Sequence, residues 1–183
     1  ASACRYALTY SDDIDALVLS SAGMIFGGDA PAWKKKMGVM LSRSLPSLTM
    51  GSGLSAKDLS HDLEVVRAYE NDPLVHDRIS PRLFTEFQNN GVQCLARASE
   101  LSMPLLVFHG KDDRIVDYRG SVQLYEKASS KIKELHIFDG FYHETMNEID
   151  KKKVLKMAAQ WIIKAMSVKK KQKTTKKIVK KKR

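Results

Sequence analysis

The sequence has few of the features that mark secreted, metal-binding or membrane-spanning proteins. Its two cysteines, Cys4 and Cys94, are too few for a disulfide framework, and no CxxC pair predicts a structural zinc site. No apolar run approaches the roughly 20 residues of a bilayer-spanning helix. Ala1–Tyr10 lacks the charged start and apolar stretch of a signal peptide and has a pattern typical of the middle of a helix. We therefore expect a globular protein in a reducing, cytoplasmic location, whose natural N-terminus lies further upstream.

Excess positive charge is confined to one end of the chain. Ten of the 31 Lys and Arg residues lie in Lys169–Arg183, which contains no acidic residue. The remaining 21 basic residues equal the 21 acidic residues in number, so the body is neutral and has no basic groove for nucleic acid. No aromatic residue interleaves the lysines for base stacking. We expect a disordered tail that acts as a solubilising end; attraction to an anionic membrane surface and a nuclear-import or nucleic-acid segment stay open as alternatives.

Short apolar runs alternate with amphipathic segments outside the middle of the chain. The predicted buried strands are Leu17–Ser20, Leu105–Phe108 and Leu135–Phe138. The predicted helices around them are Ala1–Leu8, Arg119–Ala128 and a final helix that carries Val154, Ala158, Trp161, Ile162 and Ala165. This alternation predicts an α/β protein whose parallel sheet is covered by helices on both faces.

Residues 24–102 show an irregular helical pattern that predicts an inserted cap. Apolar residues recur there at three- and four-residue spacing: Trp33, Met37, Met40, Leu41 and Leu45. Such a stripe fits a buried core and a lid over a flexible apolar ligand about equally well. A longer helix is predicted over Pro81–Glu100, with a break at Gly91.

Acidic and imidazole groups follow two neighbouring predicted strands. Asp112 and Asp113 come after the second strand, and His143 comes after the third. Active residues of open α/β sheets lie at the carboxyl ends of strands, so these groups can meet. A carboxylate that orients a histidine lets the ring act as a general base and then as a general acid. An Asp-Asp turn alone is usually just solvated, but its pairing with His143 favours catalysis.

The nucleophile that such a pair would serve is absent from the sequence. α/β-Hydrolases present it on a G-x-S-x-G elbow, in the chain order Ser, acid, His. Gly51–Ser55 has glycines at the wrong spacing, and Ser20 and Ser21 end a strand without elbow glycines. His109, which precedes a Gly at a strand end, is expected to be a structural hydrogen-bonding residue, and the other histidines are expected to be structural or exposed: His61, His76 and His136.

Five segments carry a resemblance to a known family. Ala1–Leu8 and Asp12–Ser20 resemble the helix and strand that follow the elbow in monoacylglycerol lipases and related lysophospholipases, which are α/β-hydrolases of the serine aminopeptidase type. Pro104–Asp113 and Phe138–Glu144 resemble the acid and histidine loops of that family, and Tyr69–Val75 resembles part of its cap. The resemblance extends over nearly all of the chain before the Lys-rich tail.

The resemblance implies part of an α/β-hydrolase fold: a parallel sheet with flanking helices and an inserted helical cap. The expected division is a core segment at 1–23, a helical cap at 24–102, a C-terminal core at 103–168 and a disordered Lys-rich tail at 169–183. In the family, G-H-S-M-G-G precedes the first segment, so we expect the serine and the oxyanion loop to lie upstream of Ala1.

The resemblance also implies a chemistry. The catalytic acid is Asp113, with Asp112 as its rival, and the catalytic base is His143. It implies no metal and no organic cofactor. We expect a serine-type ester hydrolase acting on a small lipid ester, monoacylglycerol or lysophospholipid, with no prediction of oligomeric state. The alternatives are an inactive remnant that serves as an interaction module, or another α/β-hydrolase chemistry such as that of a peptidase or epoxide hydrolase.

Overall fold

The computed structural model of the chain describes residues 1–26 and 32–181, with side chains placed in 1–26 and 38–168. The helices are α1 (Ser2–Thr9), α2 (Ala32–Ser44), α3 (Leu63–Asn71), α4 (Pro81–Ala96), α5 (Tyr118–Lys127) and α6 (Lys151–Lys181). The strands are β1 (Leu17–Ser20), β2 (Met50–Gly51), β3 (Arg78–Ile79), β4 (Leu105–Gly110) and β5 (Lys133–Phe138). Short 3-10 turns occupy Ser11–Asp13, Ala56–Asp58, Ala98–Glu100 and Thr145–Asn147.

The main sheet has three parallel strands with β4 in the centre. Leu17 of β1 lies opposite Leu105 of β4, which lies opposite Lys133 of β5. Every residue of β4 is buried, as a strand covered on both faces should be. The carboxyl ends of all three strands therefore meet at one edge, and the loops that leave β4 and β5 start side by side.

Alternate residues of β4 supply the two halves of the core. Leu105 and Val107 pack with buried residues of α1, α4 and α5, among them Cys4, Cys94 and Leu124. Leu106 and Phe108 pack on the other face, against α6: Val154, Ala158, Trp161 and Ala165. Because successive side chains of a strand point to opposite faces, one apolar run fills both layers. The predicted α/β class, with helices on both faces of a parallel sheet, is confirmed.

Helix α4 runs without a break through Gly91, so the predicted interruption there is wrong. A Cβ atom at this position would collide with the backbone carbonyl of Met24 and crowd that of Gly23. The glycine thus allows α4 to lie directly on the loop that follows β1, close to the carboxyl end of the sheet.

The segment predicted as a helical cap also contains a small antiparallel sheet, β2 with β3, in which Met50 lies opposite Ile79. Two-residue strands have no period that a sequence pattern can reveal. The end of this segment packs with the main sheet, since Cys94, Ala98 and Leu101 belong to the core that surrounds Leu105. The cap boundary at residue 102 stays a prediction.

Helix α6 reaches Lys181, so the backbone of the Lys-rich segment is helical up to that residue, where we expected disorder. Once the packed turns around Trp161 form the helix, each further residue extends it without a new nucleus, and lysine is a good helix former. The lysine side chains from Lys169 onwards, like those of Trp33 and Met37, lie outside the described residues. Within the described chain, none of the helices is both long and apolar enough to traverse a bilayer.

Candidate active site

The loops after β4 and β5 are joined at the carboxyl edge of the sheet. Lys111 donates its backbone N–H to Phe138 at 2.9 Å, and Asp112 donates its backbone N–H to Phe141 at 3.0 Å. The next residue, Asp113, places Oδ2 2.7 Å from Nδ1 of His143. This is the contact expected from the sequence for Asp113, whereas the side chain of its rival Asp112 is exposed.

Four donors fill the hydrogen-bonding capacity of the Asp113 carboxylate. Its Oδ1 accepts the backbone N–H groups of Ile115 at 2.8 Å and Val116 at 2.9 Å. Its Oδ2 lies 2.9 Å from Nε2 of His109 as well as beside the His143 ring. The side chains of Asp113 and His109 are fully buried. A buried acid that is satisfied on both oxygens has a fixed orientation, which is what a residue that orients a histidine requires.

The Asp113 carboxylate is stabilised in its charged form. Burial by itself raises the pKa of this carboxyl, but hydrogen bonds from His109, then His143, the charge of His143 and the Val116 N–H together hold the pKa well below its ordinary value. The acid therefore stays ionised at neutral pH and can stabilise positive charge on His143.

His143 combines a fixed nitrogen with an accessible one. Because a carboxylate only accepts hydrogen bonds, Nδ1 carries the proton that faces Asp113, which leaves Nε2 as the basic atom of the neutral ring. The side chain is 26% exposed, so its outer edge can reach a group brought to it. A ring held in this tautomer can take a proton from a nucleophile and return it to a leaving group.

Gly110, the last residue of β4, brings the two loops close together. A Cβ atom at this position would collide with the backbone carbonyls of Tyr142 and Phe141. The residues before His143 therefore lie directly against the end of β4, and only glycine has room for that approach.

A second buried carboxylate holds the histidine loop from the other side. Glu148, 3% exposed, accepts the backbone N–H of Tyr142 at 2.8 Å and that of His61 at 3.1 Å. The His61 ring stacks on Tyr142 with centroids 3.7 Å apart, and its Nδ1 lies 2.9 Å from Glu148 Oε1. Sequence reasoning missed this cluster because its partners are 87 positions apart.

The remaining sequence candidates lie elsewhere. Ser20 Oγ is 3.1 Å from Thr145 Oγ1, and Ser21, with a φ of 41°, keeps a buried Oγ that has no partner among the described residues. His76 accepts the backbone N–H of Arg78 at 3.2 Å and lines a cavity of about 400 Å³ that Leu59 and Tyr69 also line. Across the described parts of the chain, His, Cys, Asp and Glu side chains form no cluster able to hold a metal ion.

Comparison with known proteins places this geometry in a family. Residues 1–150 match the family described as serine aminopeptidase, S33. A monoacylglycerol lipase of Mycolicibacterium smegmatis is 31% identical over 159 residues, which are 86% of this chain and 56% of that protein. The phospholipase YtpA of Bacillus subtilis is 31% identical over 114 residues, covering 62% of this chain and 44% of that protein.

The fold agrees with solved structures of the same group. The crystal structure of the Paleococcus ferrophilus monoacylglycerol lipase superposes with a TM-score of 0.83 at 31% identity, covering 88% of this chain and 63% of that one. The chain thus spans about half the length of the curated relatives it matches. It belongs to the serine aminopeptidase, S33 family of α/β-hydrolases and is similar to the monoacylglycerol lipases within it.

Proposed function

We propose that this chain provides the acid and the base of a Ser-Asp-His ester hydrolase acting on monoacylglycerol or lysophospholipid. The observation that carries the proposal is the 2.7 Å contact between the buried carboxylate of Asp113 and the partly exposed ring of His143. The names of the relatives, a monoacylglycerol lipase and a phospholipase, support a lipid ester as substrate. The serine and the oxyanion donors would come from polypeptide upstream of Ala1.

The geometry fits a two-step acyl transfer. Nε2 of His143 takes the proton of the serine hydroxyl as its oxygen attacks the ester carbonyl, and then gives that proton to the departing alcohol oxygen. In the second step, Nε2 takes a proton from water as the water oxygen attacks the acyl-serine. It then returns that proton to the serine oxygen as the bond to the acyl group breaks and the fatty acid is released. Asp113 stays ionised throughout, orients the ring and stabilises the imidazolium in each step.

An apolar cleft in the cap segment supports an acyl chain as the part of the substrate that is bound there. The cleft has a volume of about 260 Å³ and is lined by Leu41, Met50, Ile79, Pro81 and Phe84 among others. Met40 on helix α2 is 61% exposed, and Leu45, which directly follows the helix, is 52% exposed. Exposed residues of this kind favour the lid interpretation of the predicted apolar stripe over the core interpretation.

The Lys-rich end supports binding to a lipid surface. Lys169–Arg183 carries ten basic and no acidic residues. Each basic residue close to an anionic bilayer contributes about 1 kcal/mol, so several of them would hold a lipid hydrolase near its substrate. We propose a protein in the cytoplasm that associates reversibly with anionic membranes.

Substrate hydrolysis by the complete protein tests the proposal. Monooleoylglycerol, a lysophospholipid and an amino-acid anilide are supplied separately, and release of fatty acid or aniline is measured. We expect fatty acid from one or both lipid esters and no amide cleavage. Amide cleavage without ester hydrolysis would replace the proposal with a peptidase, and a folded protein inactive on all three would support an inactive remnant.

A further inference from the structure

His109 is a buried histidine that the proposed reaction does not use. It is the residue before the last one of β4 and has no exposed surface, and both of its ring nitrogens have side-chain partners. Nε2 is 2.9 Å from Oδ2 of Asp113, and Nδ1 is 2.7 Å from Oγ of Ser121, which is also fully buried in α5. A histidine that served packing alone would not need a hydrogen bond to the acid of the candidate site.

The direction of the hydrogen bonds follows from the carboxylate. Asp113 can only accept, so Nε2 of His109 carries a proton. In the neutral ring Nδ1 then accepts the hydroxyl proton of Ser121, which fixes the tautomer. The result is a buried relay in which Ser121 donates to His109 and His109 donates to Asp113, while His143 donates to the same carboxylate.

Two histidines thus share one carboxylate oxygen. Oδ2 of Asp113 accepts from His109 at 2.9 Å and from His143 at 2.7 Å. A hydrogen bond to a carboxylate stabilises its charge and makes its oxygen less basic toward a second donor. The hydrogen bond from His109 should therefore weaken the hydrogen bond between Asp113 and the Nδ1 proton of His143. The imidazolium form of His143 is then less stabilised and loses its proton more readily.

The other charged groups near the relay are already paired or exposed. Asp117, at the start of α5, is held by Arg119, whose hydrogen bond lowers the pKa of that carboxyl. Lys111 pairs with Asp139 at the surface, and Arg114 pairs with Asp58. His109 and His143 are the ionisable side chains that bond to Asp113.

We propose that His109 and Ser121 are positioning residues that orient Asp113 and set how strongly its carboxylate binds the proton of His143. This inference rests on the proposed function, because it concerns the same acid and base. It assigns a role in the reaction to a histidine and a serine that do not touch the substrate.

Three variants of the complete protein separate positioning from packing. His109→Leu removes the donor, His109→Gln keeps an N–H group at the position of Nε2, and Ser121→Ala removes the bond that fixes the tautomer. Two measurements are made on each: the pH profile of kcat/KM on a soluble ester, and the NMR titration of the His143 ring. Melting temperatures report folding.

We expect His109→Leu to move the acid limb of kcat/KM and the His143 titration to higher pH by about one unit, the scale of a hydrogen bond to a charged group. At a pH on the acid limb, kcat/KM of His109→Leu should then be about tenfold lower than that of the unsubstituted protein, and the difference should disappear at higher pH. His109→Gln should restore the limb. Ser121→Ala should move the acid limb to higher pH by a smaller amount. This variant provides the test if His109→Leu does not fold.

A rate that falls equally at every pH, with an unmoved His143 titration in Ser121→Ala and in any folded His109→Leu, would overturn the inference and leave His109 a packing residue. Failure of the proposed function looks different, because the unsubstituted protein would then hydrolyse no ester. The NMR titration would still report whether His109 acts on the Asp113–His143 pair.

Discussion

The buried carboxylate of Glu148 accepts the backbone N–H of Tyr142 at 2.8 Å and so fixes the chain one residue before His143. The same carboxylate bonds His61, which precedes helix α3 of the cap segment. Nearby, Glu144 donates its backbone N–H to Leu59 at 2.8 Å. The loop that presents His143 is thereby attached to the segment that leads into α3.

This attachment predicts a pH-dependent loss of stability in Glu148→Gln. Burial raises the pKa of Glu148, but the N–H of Tyr142 and the bonds from His61 outweigh burial and hold the pKa below its ordinary value of 4.5. A carboxyl with a lowered pKa stabilises the fold above its unfolded value, and that stabilisation is lost as the pH falls through the lowered value.

We expect Glu148→Gln to lower the free energy of unfolding by about 1–3 kcal/mol at neutral pH, the cost of disrupting buried bonds to a charged group. The difference from the unsubstituted protein should narrow as the pH drops below 4.5. Urea unfolding at several pH values measures it, with the exposed Glu126→Gln as the control. A difference that stays constant with pH would mean that the charge of Glu148 is not involved.

Gly110→Ala should displace the histidine loop. Its Cβ would occupy space taken by the carbonyls of Tyr142 and Phe141, which are backbone atoms that cannot rotate away. We expect a loss of about 1–3 kcal/mol of stability, as for other overpacked sites, and a larger loss of activity because His143 moves. The control is Gly38→Ala in α2, where the added Cβ meets nothing within 4 Å and should be neutral or slightly stabilising. Equal melting temperatures and full activity for Gly110→Ala would contradict the close approach.

Asp113→Asn and Asp112→Asn form a matched pair of substitutions at adjacent positions. The first removes the charge that faces His143 and permits the wrong ring tautomer, so kcat on a soluble ester should fall by about 10³–10⁴-fold. The second changes an exposed carboxylate and should leave kcat within about twofold, as expected of surface substitutions. If Asp112→Asn were the more damaging change, the acid assignment would be wrong.

Removal of Lys169–Arg183 should affect membrane binding but not chemistry. The segment carries ten basic residues, whereas all residues of the Asp113–His143 pair and its partners precede it. We expect about tenfold or greater loss of binding to phosphatidylserine-containing vesicles at low salt, and unchanged turnover of a soluble ester. Neutral phosphatidylcholine vesicles and high salt should erase the difference. Equal binding of both forms to the anionic vesicles would exclude a lipid role for this segment.

Local sequence patterns predicted much of this fold and the contact between Asp113 and His143 at the carboxyl edge of the sheet. The three strands of the main sheet were predictable because each is a short apolar run, and Asp113 and His143 because each follows one of those strands. A parallel sheet places such loops together irrespective of the residues between them. The catalytic roles of these two residues stay a prediction.

No local sequence pattern revealed the contacts of the residues that hold Asp113 and the histidine loop in place. The position of His109 next to the last residue of β4 indicates a structural hydrogen-bonding residue but not which group it bonds, and its partner Ser121 lies in a helix. Glu148 and His61 meet only because the segment before α3 folds back on the histidine loop. The Lys-rich segment was expected to be disordered by composition, but packing of α6 earlier in the helix extends its backbone order.

Labelling of the complete protein with a fluorophosphonate probe is the most direct test of the central claim that the Asp113–His143 pair activates a serine. We expect a single covalent adduct, on a serine upstream of Ala1, whose formation slows by several orders of magnitude in His143→Ala and is unaffected in the control variant His76→Ala. A folded protein that gives no adduct, or that labels equally fast without His143, would contradict it.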